Sequence, residues 1–600
     1  MHLKSVDLSQ TELFQRHDHF SSWDECVHLS YKRARSIGRL YDLTAEDILH
    51  VSTRYLEFHT DPILLMDGSV PVLLTIHCNL YTGTLVMFAP GRPDVQVALD
   101  KALRFETFGN YFLTELDHGL DVINLETTAT LKPDGSFDLH TPHRGAAKFM
   151  PPSIPCGILS DGIVFARLLV DGEDRGVKPF VVPIHDGHSM YPGITAKRLS
   201  PRGSSNPVNH ALTYFNHVRL SPTALLTTLH RAMDPRAEFF HNISRVVVGT
   251  LSMAASCLPG LRIISYIAGK YSLRRKVTDA STGLSRPIIS FSTQYIPVMT
   301  AIADAFISIA FVSNIRAGFG DPELGSVMKH FLAAVTKVTL FGHTMKDLVA
   351  LADRCGAQGL LRVNQLDSLI ADARGSGIAE GDILGISVRF AIDLALGRIA
   401  PPRSSDPESR LAHHEAAIIS QLRSHLFRGQ GSPKEISGSH RRRQIEAAIL
   451  PLCVPLMQAV GHRMAYDAAI EASVDPTLID IYLSSAILSD PAWYSETSDP
   501  AVHLSRSEQL EMQLNACTKG VARLEEWLDK LEVGPYVLAP IVSEEKWDAY
   551  EQTLETFGRS QDPSDDAYLE DLDTNRMIEE PQSTASSLCF LQSGSMAAKL

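Results

Sequence analysis

The sequence is short of the features that would settle its class at a glance. It has eight cysteines in 600 residues (26, 78, 156, 257, 355, 453, 517 and 589) and no CxxC pair. Scattered thiols of this kind exclude a disulfide frame and a cysteine zinc site. The opening segment MHLKSVDLSQTELF has no apolar core of the secretory type, so no export signal is expected. No apolar run is read as long and clean enough to span a membrane. Val246–Leu261 is free of charge but carries Gly249, Pro259 and Gly260, and is read as a buried helix. Positive charge is also in deficit. A formal net charge of -14 argues against a nucleic-acid surface as the main activity.

Several catalytic signatures are missing. There is no GxSxG nucleophile elbow and no Walker A loop. Gly375-Ser376-Gly377 with Gly381 has GxGxxxG spacing without a preceding β-α-β pattern, so it is not a dinucleotide fingerprint. His414-Glu415-Ala416-Ala417-Ile418 has Ile where a zinc-protease helix needs its second His. No metal site is expected.

What is present is ordinary globular material, with 44% hydrophobic and 21% charged residues, enough for several packed domains. Residues 1–108 read as helical. Ala45–Thr60 has helical spacing, and Ser69–Met87 is apolar almost all round and should be buried, with His77 a satisfied core residue. Residues 109–225 read as a compact β-domain. Its short runs Thr127–Leu131, Ser136–His140, Gly162–Leu169, Pro179–Pro183 and Ala211–Leu220 are separated by turns such as Pro133-Asp134-Gly135 and Asp171-Gly172. Residues 226–400 return to long helical patterns: Phe239–Ala268, Ile288–Asn314, Gly325–Cys355 and Ile383–Leu396, which suggest an antiparallel bundle. Residues 401–441 read as a linker and 442–561 as a second helical domain. Residues 562–600 read as an acidic, then Ser-rich, disordered tail. The expected class is α+β, mainly α: an N-terminal helical domain, a central β-barrel-like domain and two C-terminal helical bundles.

One stretch organises the rest. Gly109–Thr130 (GNYFLTELDHGLDVINLETTAT) is an apolar run, a polar turn and an alternating strand. On spacing alone it is a loop leading into a β-domain, with hydroxyl and N–H groups facing whatever fills the adjacent cleft. With the layout above, it resembles the flavin-side signature of the acyl-CoA oxidases of peroxisomes, and more distantly that of the acyl-CoA dehydrogenases. Thr114-Glu115-Leu116-Asp117-His118-Gly119 corresponds to Thr-Glu-Leu-Gly-His-Gly, and Leu125-Glu126-Thr127-Thr128-Ala129-Thr130 to Leu-Glu-Thr-Thr-Ala-Thr. The resemblance runs on through Lys148-Phe149-Met150-Pro151, Phe180-Val181-Val182-Pro183-Ile184, Tyr271-Ser272-Leu273-Arg274-Arg275 and Phe291-Ser292-Thr293-Gln294. Cys355-Gly356-Ala357-Gln358-Gly359-Leu360 and Ala379-Glu380-Gly381-Asp382 complete it.

The resemblance implies an FAD-dependent oxidase that introduces an α,β (2,3-trans) double bond into an acyl-CoA thioester and passes electrons to O2, giving H2O2. It implies Glu380 as the catalytic base. It implies Thr114, Leu116, Gly119, Arg275, Gln294, Gly356 and Asp382 as FAD contacts, with Arg275 on the pyrophosphate of a partner subunit in a homodimer. Asp117, Lys148 and Phe149 would face the substrate. Ala598-Lys599-Leu600 resembles the Ser-Lys-Leu address read by the peroxisomal import receptor, so the expected location is the peroxisomal matrix. Departures cluster around flavin and substrate: Asp117 for Gly, Pro152-Ser153 for Gly-Gly, Gln358 for His and Leu360 for Tyr. They imply a divergent member with an unusual acyl group in a specialised pathway. Two other readings remain open: a dehydrogenase with another electron acceptor, and a catalytically weakened or non-catalytic binding paralogue.

Overall fold

The sheet is built around one long strand. In the computed structural model, which describes residues 2–15, 22–321, 323–427 and 439–557, β5 (Leu159–Val170) carries neighbours on both edges. On one edge β1 (Thr107–Phe112) pairs parallel with its first half. On the same edge β2 (Thr128–Leu131) pairs parallel with its second half. On the other edge β6 (Glu173–His185) pairs antiparallel along its length. β3 (Phe137–His140) continues outward from β2, and β9 (Val218–Leu220) from β3. The segment between β1 and β2 therefore leaves and rejoins the same edge of β5, which fixes both ends of the loop that carries Thr114–Gly119. A second sheet runs β4 (Lys148–Phe149), β8 (Ala211–Phe215), β7 (Ile194–Arg198).

The run GIVFARLL shows why β5 is central. Val164, Ala166 and Leu168 pack into the β-domain interior with Phe112, Phe137 and Phe180. Ile163 and Phe165 pack on the opposite face against Tyr81, Leu85 and Leu99 of the N-terminal helices. A strand buried on both faces needs continuous apolar residues, not alternation.

The helical part centres on α1 (Arg245–Ala255), α2 (Cys257–Arg274), α3 (Ser292–Phe319), α4 (Ser326–Arg354), α5 (Leu366–Ile378) and α6 (Ile383–Ala395). β10 (Lys276–Thr278) and β11 (Ser285–Pro287) form a hairpin between α2 and α3. One hydrophobic core joins these helices to those of the N-terminal region and to the segment 449–541. Among the described residues, those up to Trp547 fall in one compact unit and 548–557 in a second.

Several expectations are corrected. Ala45–Thr60 is two helices, because Val51 adopts a left-handed conformation and Ser52 caps the second. The single helix expected over Phe239–Ala268 is three, with ends at Asn242 and Ala255. Ala211–Leu220 is two strands turned at His217 (φ 52°). Within the stretch read as linker, Arg410–Phe427 is a helix that buries Leu411, Ile418 and Leu422. Three helical segments (Val70–Phe88, Pro235–Arg274 and Ser292–Phe319) are long and apolar enough by length and composition to cross a membrane, contrary to the sequence reading. The fold buries 83%, 83% and 72% of their most apolar windows, which accounts for that apolarity by packing. The tail from residue 562, with Ala598-Lys599-Leu600, lies outside the described residues.

Candidate active site

Glu380 sits in the tight turn between α5 and α6. Its backbone is left-handed (φ 56°), and Gly381 follows at φ 101°, a region open mainly to glycine. Asp382 then caps α6, accepting the Gly385 N–H at 3.1 Å. Three successive carbonyls of this turn each accept a side-chain hydrogen bond. The Lys337 ammonium donates to Ala379 O and to Gly381 O, the latter at 2.7 Å. The Thr250 hydroxyl donates to Glu380 O at 2.6 Å, a bond it shares with Val246 O of its own helix (3.0 Å).

The carboxylate points at α1. A Cβ on Gly249 would lie 2.3 Å from Glu380 Oε2, so only glycine leaves room for the acid there. Beside it stands Arg245, buried, whose guanidinium donates to Asn79 Oδ1 (2.6 Å), Asn79 O (3.2 Å) and Ile48 O (3.0 Å). Asn79 lies in a π-helical turn, Thr75–Thr82, which interrupts the apolar segment 70–88. His77 of the same turn is internally satisfied: it accepts the Gly109 N–H at 2.9 Å, and its other ring nitrogen faces Ala102 O at 3.1 Å. Tyr55 and Tyr111 face the same space, and the Tyr111 hydroxyl is buried with no partner among the described residues. Burial pushes the Glu380 carboxyl up to about 7, against the opposing pull of Lys337 and Arg245. Burial likewise brings Lys337 down to about 8, with Glu380 pulling the other way.

Tyr111 leads along β1 to the loop that resembles the flavin signature. Glu115 is its anchor. The carboxylate accepts the N–H groups of Glu126 (2.7 Å) and Thr127 (2.9 Å) and the Thr127 hydroxyl (2.6 Å), and pairs with Lys148 at 3.0 Å. Lys148, expected to face substrate, is corrected to a structural role. Its side chain is fully enclosed, and its remaining bonds go to Leu113 O (3.2 Å) and Phe165 O (2.8 Å). Leu116 is pinned by its N–H to Ala147 O (2.9 Å) and Asp117 by its own to Gly145 O (3.0 Å). The Asp117 side chain is exposed. Thr114 and Phe149 are adjacent, the Phe149 N–H donating to Thr114 O at 3.0 Å, and the Thr114 hydroxyl bonds to no described residue. Gly119 is exposed, with open space where a side chain would go.

A second group gathers at the far end of the bundle. Gln294 at the start of α3 donates to Ser272 Oγ (2.8 Å) and to Arg354 O (3.2 Å). This ties together the ends of α2 and α4, and with them Arg275 and Gly356. Arg275 closes α2 through its N–H to Tyr271 O (2.8 Å), and its side chain is exposed. Cys257, at the other end of α2, feels the Lys337 charge. Arg275 therefore lies at the other end of α2 from the neighbourhood of Lys337, a helix about 27 Å long at 1.5 Å per residue. Of the residues expected at the site, the structure brings Thr114, Leu116 and Phe149 together at the loop, places Glu380 and Asp382 in the turn, and groups Arg275, Gln294 and Gly356 apart.

Sequence reasoning missed Asn79, Arg245, Gly249, Thr250 and Lys337. Two carried a signal. Lys337 is the lone charge in FLAAVTKVTLFG, and Arg245 opens the charge-free run that begins at Val246. A single charge in an apolar helix has to be satisfied by something specific.

No protein-family model matches the chain. It is 25% identical over 346 residues to peroxisomal acyl-coenzyme A oxidase 3 of Homo sapiens, covering 53% of this chain and 49% of that one. It is 39% identical over 178 residues to acyl-coenzyme A oxidase 4 of Candida tropicalis, covering 28% and 25%. The matches thus span half or less of the length of these relatives. Acyl-CoA oxidase 3 of Yarrowia lipolytica has the same fold (TM-score 0.78, 18% identity, 99% of this chain and 93% of that one). So does acyl-CoA oxidase-1 of Caenorhabditis elegans in complex with FAD and ATP (TM-score 0.66, 19% identity, 95% and 97%). Sequence relatives and fold neighbours agree: the chain is similar over part of its length to acyl-CoA oxidases and shares the fold of acyl-CoA oxidases over nearly all of it.

Proposed function

We propose that the protein is an FAD-dependent acyl-CoA oxidase in which Glu380 is the base. The observation that carries this reading is a carboxyl group raised to about 7, held in a fixed left-handed turn and aimed into space that Gly249 keeps open. A base of this strength, poised near neutrality, suits the weakly acidic proton α to a thioester. When bound, the flavin would accept the hydride from the β carbon and hand the electrons to O2, releasing H2O2. The chain's own residues supply the rest. Glu380 takes the α proton at its carboxylate. The Thr114 hydroxyl and the N–H groups of the loop anchored by Glu115 offer hydrogen bonds to the flavin ring. Both that hydroxyl and the buried Tyr111 hydroxyl lack protein partners among the described residues, as a wall for a polar ligand requires.

Arg275, Gln294 and Gly356 are proposed to hold the pyrophosphate and adenine end of a flavin seated on a second copy. Their separation from Glu380 supports this, as do the exposed apolar side chains of Leu284 and Leu360 beside them and of Leu120, Ile378 and Leu384 beside the loop and turn. A homodimer would cover both sets. The relatives named as peroxisomal support action in that organelle, with Ala598-Lys599-Leu600 as the address.

The test is a peroxide assay over a panel of acyl-CoAs, with the flavin spectrum recorded on the same sample. A yellow protein that releases peroxide with at least one acyl-CoA is expected, and Glu380→Gln should keep the flavin and lose turnover. A colourless protein that binds no FAD would overturn the reading. Reduction by acyl-CoA without peroxide would instead mark a dehydrogenase.

A further inference from the structure

Resting on that reading, we infer that Lys337 is a positioning residue for the base: its ammonium, with the Thr250 hydroxyl, clamps three consecutive carbonyls and holds Glu380 in its left-handed turn. Lys337 lies in the middle of α4, almost fully buried, among Phe331, Leu332, Val335, Val338 and Leu340 of the same helix. An ammonium in such surroundings must be matched by acceptors. Its hydrogen bonds go to Ala379 O and Gly381 O, the carbonyls on either side of Glu380. Thr250 takes the carbonyl between them from the opposite side, on α1. The turn is therefore held between two helices by side chains and cannot relax toward a right-handed conformation without breaking all three bonds. A non-glycine residue at φ 56° is costly unless its surroundings impose it.

The clamp also sets charge. Glu380 is faced by the cations Lys337 from α4 and Arg245 from α1, and by the phenols Tyr55 and Tyr111. Lys337 itself feels Asp382 and Cys257 as well as Glu380. Removing Lys337 takes away the stronger of the two cations that oppose burial, so the carboxyl should become harder to ionise.

The experiment compares Lys337→Met and Lys337→Arg with wild type in the flavin-loaded protein. For Lys337→Met, kcat should fall by about 10- to 100-fold with little change in KM, the cost of a misplaced base. The acid limb of its pH profile for kcat/KM should move up by about one pH unit. Lys337→Arg should keep the limb near its wild-type position and recover part of kcat. Wild-type kcat with an unmoved limb in Lys337→Met would overturn the inference. So would a lower kcat with an unmoved limb, which would make Lys337 a packing residue only. A readout independent of turnover separates this from a wrong assignment of activity. The pH at which the melting-temperature gap between wild type and Glu380→Gln stops widening reports the ionisation of Glu380 in the folded protein. That upper limit should move to higher pH and the gap should grow in the Lys337→Met background, and an unmoved limit would overturn the clamp even if no acyl-CoA is turned over.

Discussion

Glu380 and Glu115 are two buried acids with opposite fates. Burial alone would raise both. Around Glu115 it is outweighed by the Lys148 charge, the Thr127 hydroxyl and two backbone N–H groups, and the carboxyl ends below its ordinary value. Glu380 has two cations nearby but no hydrogen bond to its carboxylate among those found, and it ends at about 7. The consequence for stability has a definite sign. The folded protein holds the Glu380 proton more tightly than the unfolded chain, whose Glu pKa is about 4.3. The contribution of Glu380 to stability is therefore greatest below about pH 4 and falls as pH rises through about 7, by on the order of 3 kcal/mol in total. Glu380→Gln removes that loss. It is expected to melt higher than wild type at pH 8, with the difference closing by pH 5, by scanning calorimetry. A constant difference across this range would contradict the raised carboxyl. The Glu115–Lys148 pair gives the contrasting case. Both side chains are fully enclosed, so Lys148→Met leaves a carboxylate buried without its cation. A loss of about 3–5 kcal/mol is expected by denaturant unfolding, and with it the flavin.

At the scale of elements, helix and strand were legible wherever the pattern is long and apolar. β5, β6, α3 and α4 fall close to where the sequence places them, because burial on two faces leaves little choice of residue. The breaks were not legible. Nothing in AEDILHVSTRYLEFHT marks Val51 as left-handed, since a β-branched residue is among the least suited to it, and packing imposes it. The helix at Arg410–Phe427 was missed because its neighbours Pro401, Pro402 and Ser404 to Pro407 read as linker. Its own apolar spacing (Leu411, Ile418, Leu422) follows directly. Gly249 reads in sequence as a flaw in a helix. In the structure it is the gap into which the Glu380 carboxylate projects. Gly249→Ala should favour the helix by about 1 kcal/mol from propensity. It should also push the carboxylate aside and lower kcat by about 10- to 100-fold. A variant that melts no lower than wild type yet turns over slowly is the expected outcome. Unchanged kcat would show that the acid does not use this gap.

For the whole molecule, the motifs marked the residues proposed for the site but not that they fall into two separate groups. Glu380, through Lys337, lies near the start of α2, and Arg275, Gln294 and Gly356 gather at the far end of that helix, which is about 27 Å long. Sequence order hides this, because residues 114, 275, 294, 356 and 380 are interleaved along the chain. The separation becomes useful if each flavin is held by two copies, as proposed. A chain carrying Glu380→Gln lacks a base but still lends Arg275 to its partner. A chain carrying Arg275→Glu fails its partner's flavin but keeps its own base. Each variant alone should be nearly inactive. Unfolded together and refolded, or co-expressed with different tags, they should form mixed dimers. In these, one of the two sites has both Glu380 and Arg275 intact. Random pairing makes half the dimers mixed, so about a quarter of all sites should work. Peroxide release recovering to about that level in the unfractionated mixture, and to about half of the sites in dimers captured through both tags, is the expected result. No recovery in purified mixed dimers would place Glu380 and the Arg275 group in the same copy's site. The proposed division of the flavin between subunits would then fall, leaving the assignment of the base intact.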